Sequence, residues 1–173
     1  MRPLLPLFAL CLGLTAAEVT PFKWSGAINV PDPVAVTVDE KGAVYACTTT
    51  RRKVADLDIR EHTQWIADDQ ALTSPLEKEA FYKRVMAPGA MRGPQGSLKD
   101  HNGDGSVDWR DLIVHKERIY KLVDTDGDGV ADKITVFAEG FNSVGAGIAA
   151  GILYHDGWVY VTAQPDLWRL KDT

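Results

Sequence analysis

Two phrases lying 48 residues apart constrain this chain more than any other feature. Tyr120-Lys121-Leu122-Val123-Asp124-Thr125 is echoed by Trp168-Arg169-Leu170-Lys171-Asp172-Thr173, an offset of 48 (172 − 124). A period in the 40s that holds several short strands is the sequence signature of a propeller blade. Were the echo a coincidence among common strand residues, a small β domain would be the remaining expectation.

The hairpins support the repeat. Val34 to Val38 and Ala43 to Thr48 are β-branched, alternating segments separated by Asp39-Glu40-Lys41-Gly42, which reads as a hairpin. A second version occurs later, where Gly151 to Tyr154 and Trp158 to Thr162 flank His155-Asp156-Gly157 with its Asp-Gly turn signal. Gly42-Ala43-Val44-Tyr45 matches Gly157-Trp158-Val159-Tyr160 at an offset of 115 (157 − 42).

Between the 48-residue echoes lie four candidate strands: Arg118 to Val123, Lys133 to Ala138, Ile148 to Tyr154 and Trp158 to Ala163. Counted as one blade, they leave Val34 to Thr48 as the last two strands of the preceding blade and Leu167 to Lys171 as the first of the next. The expected fold class is therefore all-β, built of incomplete β-propeller blades with a small helical insertion. Residues 18–50 are expected to form a partial blade, 51–117 the helical insertion with a first calcium loop, and 118–173 one blade and the start of another. A propeller closes with about four to eight blades, so the chain is expected to be the amino-terminal piece of a longer protein or a truncated product.

Within the insertion, Ser74-Pro75-Leu76-Glu77 places serine at a helix N-cap, proline in the first turn and glutamate at N3. Ala80, Phe81, Val85 and Met86 follow at roughly helical spacing. Gly89 to Gly96, with three glycines and Pro94, ends any helix. Such an insertion either covers a site or packs on the rim of the sheets.

Two acidic loops carry the chemistry. Asp124, Asp126 and Asp128 stand at alternate positions 1, 3 and 5, with Gly129 at position 6, the Val130 carbonyl at 7 and Asp132 at 9. The earlier loop has Asp100, Asn102 and Asp104, then Gly105, Ser106 at the carbonyl position, Asp108 at 9 and Asp111 at 12. This spacing cages a hard cation such as calcium in oxygens. Like charges about 4 Å apart cost roughly 1 kcal/mol in water and about 4 at an effective dielectric of 20, so the ion is expected to be part of the fold. Helices on both sides would make these EF-hands. Gly89 to Lys99 is too glycine-rich for an entering helix, and the short Asp111-to-Asp124 spacing cannot hold two more, so calcium loops set between strands are the better reading. Asp111 is one methylene shorter than the usual glutamate and the second loop has Thr135 at position 12, so affinities nearer the extracellular range, about 10⁻⁴ to 10⁻³ M, are expected.

Arg2, the apolar run Leu4 to Leu14 and Thr15-Ala16-Ala17 read as an export signal cleaved before Glu18, with no transmembrane span. The expected location is periplasmic or secreted. Cleavage removes Cys11, leaving Cys47 without a disulfide partner. The net charge of −5 excludes a nucleic-acid surface, and much of it sits in the acidic loops. The Arg51-Arg52-Lys53 run reads as a solvated surface rather than an anion site. Asp58, Arg60 and His62 read as an exposed polar segment, although they stand close enough for a base and its orienting partners. No His-Glu-x-x-His, Gly-x-Ser-x-Gly or phosphate loop occurs.

Pro33 to Gly42, Tyr120 to Gly129 and Thr135 to Asn142 together resemble the amino-terminal propeller of the membrane-bound dehydrogenase family (haem-binding, Cys-x-x-Cys-His type) of planctomycetes and verrucomicrobia. That family is distantly like the soluble quinoprotein glucose dehydrogenases. The resemblance covers roughly Pro31 to Thr173 and implies a dehydrogenase-like oxidoreductase acting on a sugar or alcohol, with a PQQ-like quinone or haem. Its partners would be the remaining blades or a haem domain. No Cys-x-x-Cys-His is present here, no catalytic residue is carried over, and this chain alone is not expected to be active. The rival expectation is a non-enzymatic, calcium-dependent carbohydrate- or protein-binding module.

Overall fold

The computed structural model describes residues 19–55, 57–91 and 98–172. The expected export signal at 1–17 lies outside the described residues, as does much of the glycine-rich stretch before Leu98. Strands β1 (Pro33–Val38), β2 (Val44–Thr48), β3 (Glu117–Val123) and β4 (Lys133–Gly140) form an antiparallel sheet in that order. Strands β5 (Ala149–His155), β6 (Trp158–Ala163) and β7 (Asp166–Leu170) form a second. The protein is thus mostly β-sheet with a few short helices, and the described residues close neither a barrel nor a ring.

The grouping of strands differs from the expected one. The hairpin β1–β2 is not the end of a preceding sheet; it is half of the sheet that contains β3 and β4. The join is made by β2 and β3, which pair antiparallel with Val44 opposite Leu122, Tyr45 opposite Lys121, Ala46 opposite Tyr120 and Cys47 opposite Ile119. This register puts Tyr45, Cys47 and Ile119 on one face, where they pack against Ala149, Val159, Val161 and Ala163 of the second sheet. Pairing β2 with a strand far along the chain is favoured because it unites the apolar halves of one core.

The two echoes find a structural counterpart here. An offset of 115 carries β1 and β2 onto β5 and β6, and an offset of 48 carries β3 onto β7. The ladders agree residue for residue: Val159 lies opposite Leu170, Tyr160 opposite Arg169, Val161 opposite Trp168 and Thr162 opposite Leu167. The difference between the offsets, 67 (115 − 48), is the extra length that the first sheet carries between its second and third strands. The second sheet therefore repeats the first three strands of the first.

That extra length holds α1 (Ile66–Ala71), α2 (Pro75–Val85) and several 3-10 turns. The start of α2 follows its cap residues: Ser74 Oγ accepts the Glu77 N–H at 3.2 Å, and Glu77 accepts the Thr73 N–H at 2.7 Å. Phe81, Tyr82 and Met86 bury against Leu98, Leu112 and Val144, a core separate from that between the sheets. A third cluster lies on the back of the first sheet, where Trp24, Ile28 and Val30 cover Ala46, Leu122 and Ala131.

Candidate metal centre

The second acidic loop connects β3 to β4, as expected of a loop set between strands. Its backbone is held by its own carboxylates. Asp124 accepts the N–H of Gly127 at 2.7 Å and of Gly129 at 2.9 Å, Asp126 accepts that of Asp128 at 3.2 Å, and Asp128 accepts that of Val130 at 2.7 Å. Gly129, at φ +90°, makes the turn that few other residues adopt. Asp132 closes the loop by accepting the Thr125 N–H at 3.1 Å and its hydroxyl at 2.6 Å. The Thr125 hydroxyl holds the Asp132 carboxyl below the usual carboxylate range.

One oxygen from each of Asp124, Asp126 and Asp128 lies within 4.8 Å of the others. Two ligands of one calcium ion at about 2.4 Å sit no more than about 4.8 Å apart, so the spread suits a single ion. No lysine or arginine forms an ion pair with any of the three among the described residues. The donor set is all carboxylate oxygen, which suits a hard cation. At its back the loop is anchored to the fold: Ala131 is buried, its N–H donates to the Trp24 carbonyl at 2.8 Å, and the Asp132 N–H donates to the Val123 carbonyl at 3.1 Å.

The first loop begins in the same way. Asp100 accepts the N–H groups of Gly103 at 2.7 Å and Gly105 at 2.8 Å, Asn102 accepts that of Asp104 at 2.8 Å, and Asp104 accepts that of Ser106 at 2.9 Å. Its exit differs, and here the expectation of flanking strands is corrected. Asp108 is the N-cap of a 3-10 turn, Trp109–Ile113, and Asp111 completes a capping box by accepting the Asp108 N–H at 2.9 Å. Asp111 also accepts the N–H groups of His101 at 2.7 Å and Asn102 at 3.1 Å. It closes this loop from position 12, as Asp132 closes the other from position 9. Asp108 and Asp111 are fully buried. The Arg110 guanidinium holds the Asp108 carboxyl down at about 2.

Arg51 overturns its expected place on a solvated surface. It is 2% exposed, and its guanidinium donates to the carbonyls of Phe141 at 3.3 Å, Gly147 at 2.9 Å, Leu112 at 3.2 Å and Ala146 at 3.3 Å. It thereby ties the turn after the first loop to the β4–β5 connection. Glu117 is also fully buried, accepting from Thr49 Oγ1 at 3.4 Å and the Thr50 N–H at 3.1 Å, and desolvation pushes its carboxyl up. A cavity of about 180 Å³ opens beside Arg51, bounded by Lys78, Tyr82, Val144 and Gln164. The sequence signal for Arg51 was its place three residues after β2, where a chain leaving a buried strand is still inside.

The other polar candidates do not assemble a catalytic group. Asp58 is engaged by the Arg60 guanidinium at 2.8 Å on the surface, whereas His62 is buried and stacked on Trp65 at 4.3 Å between ring centres. His115 Nε2 meets His101 Nδ1 at 3.2 Å, a juxtaposition nothing in the sequence indicated. Cys47 is fully buried and its thiol is pushed up to about 11 by desolvation, which makes it a core residue and not a nucleophile or haem attachment. No helix among the described residues is long and apolar enough to cross a membrane.

Comparison with curated proteins finds no match, and comparison with solved structures finds none. Residues 26–173 match the profile of a family described as a domain of unknown function, DUF7133, and with nearly the whole chain covered the protein belongs to that family.

Proposed function

We propose that this chain is a calcium-stabilised module of repeated β-sheets, the opening blades of a propeller, from an exported protein. The observation that carries the reading is the gathering of Asp124, Asp126 and Asp128 oxygens within 4.8 Å, with no lysine or arginine paired to them among the described residues. The loop sits between β3 and β4 of the first sheet and is anchored through Ala131 to the apolar cluster behind them, so an ion there clamps β3 to β4. Its role is scaffold, not signal. The propeller reading draws support from the matched ladders of β2–β3 and β6–β7, which repeat one register in two packed sheets.

The resemblance to the dehydrogenase family extends the proposal to a longer periplasmic oxidoreductase handling a sugar or alcohol with a quinone or haem. No step of such a reaction is assigned to residues of this chain.

Calcium titration tests the reading. Calorimetry is expected to show heat of binding at submillimolar to millimolar calcium, and the melting temperature to rise with it. Asp126→Ala and Asp128→Ala are expected to abolish both. Absence of binding heat and of any thermal shift at millimolar calcium overturns it.

A further inference from the structure

The two acidic loops match over their first seven positions in glycines and in side-chain-to-backbone hydrogen bonds, with Asn102 standing where the second has Asp126, yet they differ at position 11, which is Arg110 in the first and Ile134 in the second. Arg110 turns back into its own loop. Its Nη2 lies 2.7 Å from Asp104 Oδ2, at position 5, and 2.7 Å from Asp108 Oδ2, at position 9. Its Nε donates to Asp108 Oδ1 at 2.9 Å. One guanidinium nitrogen thus bridges the carboxylates of two positions that, in a loop of this spacing, face the ion.

We infer that Arg110 is a tethered cation that takes the place of metal in the first loop, so that the chain binds one calcium ion and not two. The inference rests on the proposed calcium site of the second loop and adds which loop takes the ion and what refuses it in the other. Two placements and one charge argument support it. The Asp108 carboxylate has both oxygens engaged by Arg110, through the backbone N–H and Nε at Oδ1 and through Nη2 at Oδ2. Asp111, the position-12 donor, is committed to three backbone N–H groups and is fully buried. The guanidinium already neutralises part of the charge that would draw an ion, and its displacement would leave Asp108 buried beside an empty ion-pair position. In the second loop position 11 is apolar, and Asp132 is engaged by Thr125 rather than by a cation.

Calcium itself is the probe, followed by calorimetry and equilibrium dialysis on the folded chain. The wild type is expected to bind one ion, Asp126→Ala none, and Arg110→Gln two, the second about tenfold or more weaker because Asp111 stays committed to the backbone. Arg110→Lys is expected to bind one. A wild-type stoichiometry of two overturns the inference and leaves the second-loop site standing, whereas one ion retained by Asp126→Ala places that ion in the first loop and overturns the inference. Should Arg110→Gln fail to fold, the wild type and Asp126→Ala decide the matter between them. A wild type that binds no ion overturns the proposed site itself, and a folded Arg110→Gln that binds only one overturns the tethered-cation role alone.

Discussion

Gly26 and Val130 touch across the back of the second acidic loop: a β-carbon at Gly26 would lie 2.6 Å from Val130 Cγ1 and 3.5 Å from the Ala131 carbonyl oxygen. Gly26 also sits at φ +52°. The segment that covers the back of the first sheet and the loop proposed to hold calcium are therefore packed as one unit.

Gly26→Ala is accordingly expected to lose about 1–3 kcal/mol of stability, combining a strained backbone with a contact that Val130 must yield to. Urea unfolding measures it, and calcium affinity should fall in the same variant because Val130 belongs to the loop. A loss below about 0.5 kcal/mol, the range of ordinary surface substitutions, would show that the segment adjusts freely.

Arg51 and Glu117 give a second expectation. Arg51→Ala leaves four carbonyls without their donor and a buried acid without its neighbouring cation, a change that costs about 3–5 kcal/mol. Desolvation already raises the Glu117 pKa, so Glu117→Gln should be milder, and the double variant less destabilised than the two single changes combined. Chemical unfolding of the four chains is the measurement. Simple additivity would mean that the two groups act independently.

Acid sensitivity follows from Asp108. Its folded-state pKa is depressed to about 2 from an ordinary 3.8 by the Arg110 guanidinium. The stabilisation is therefore complete above about pH 4 and is lost as pH falls through 2. With Arg110 39% exposed, about 1–2 kcal/mol is the expected size after allowing for solvent screening. Unfolding free energies measured across this range should fall more steeply for the wild type than for Asp108→Asn; parallel curves would sink the assignment.

Cys47 supplies a simple probe of the core. Its burial and raised pKa predict that a chain with Cys11 replaced by serine resists thiol labelling at pH 8 while folded and reacts once unfolded. Rapid labelling under native conditions would place the strand β2 face outside the core between the sheets.

Much of the local structure was legible in short range. The Ser74 cap and Pro75 start of α2, the Asp39–Gly42 turn and the side-chain-to-amide bonds over the first seven positions of both acidic loops all join residues no more than five positions apart. The exit of the first loop was less legible, because Asp108 and Asp111 suit either a metal or a capping box, and Arg110 decides between them by folding back. Position 11 carried that signal in the sequence: a guanidinium one residue from the ligand ring has the reach to enter it.

What the residues determined alone were the loops, the hairpins and the repeat of strand phrases, since alternation, glycine at positive φ and carboxylates two apart act through local backbone geometry. Only the tertiary structure decided which strands share a sheet, because the β2–β3 pairing spans the whole insertion and is selected by burial of Tyr45, Cys47 and Ile119 against the second sheet. The same is true of Arg51. Its charge suggested solvent, and its interior place is set by four carbonyl oxygens drawn from segments 61 to 96 residues away in sequence.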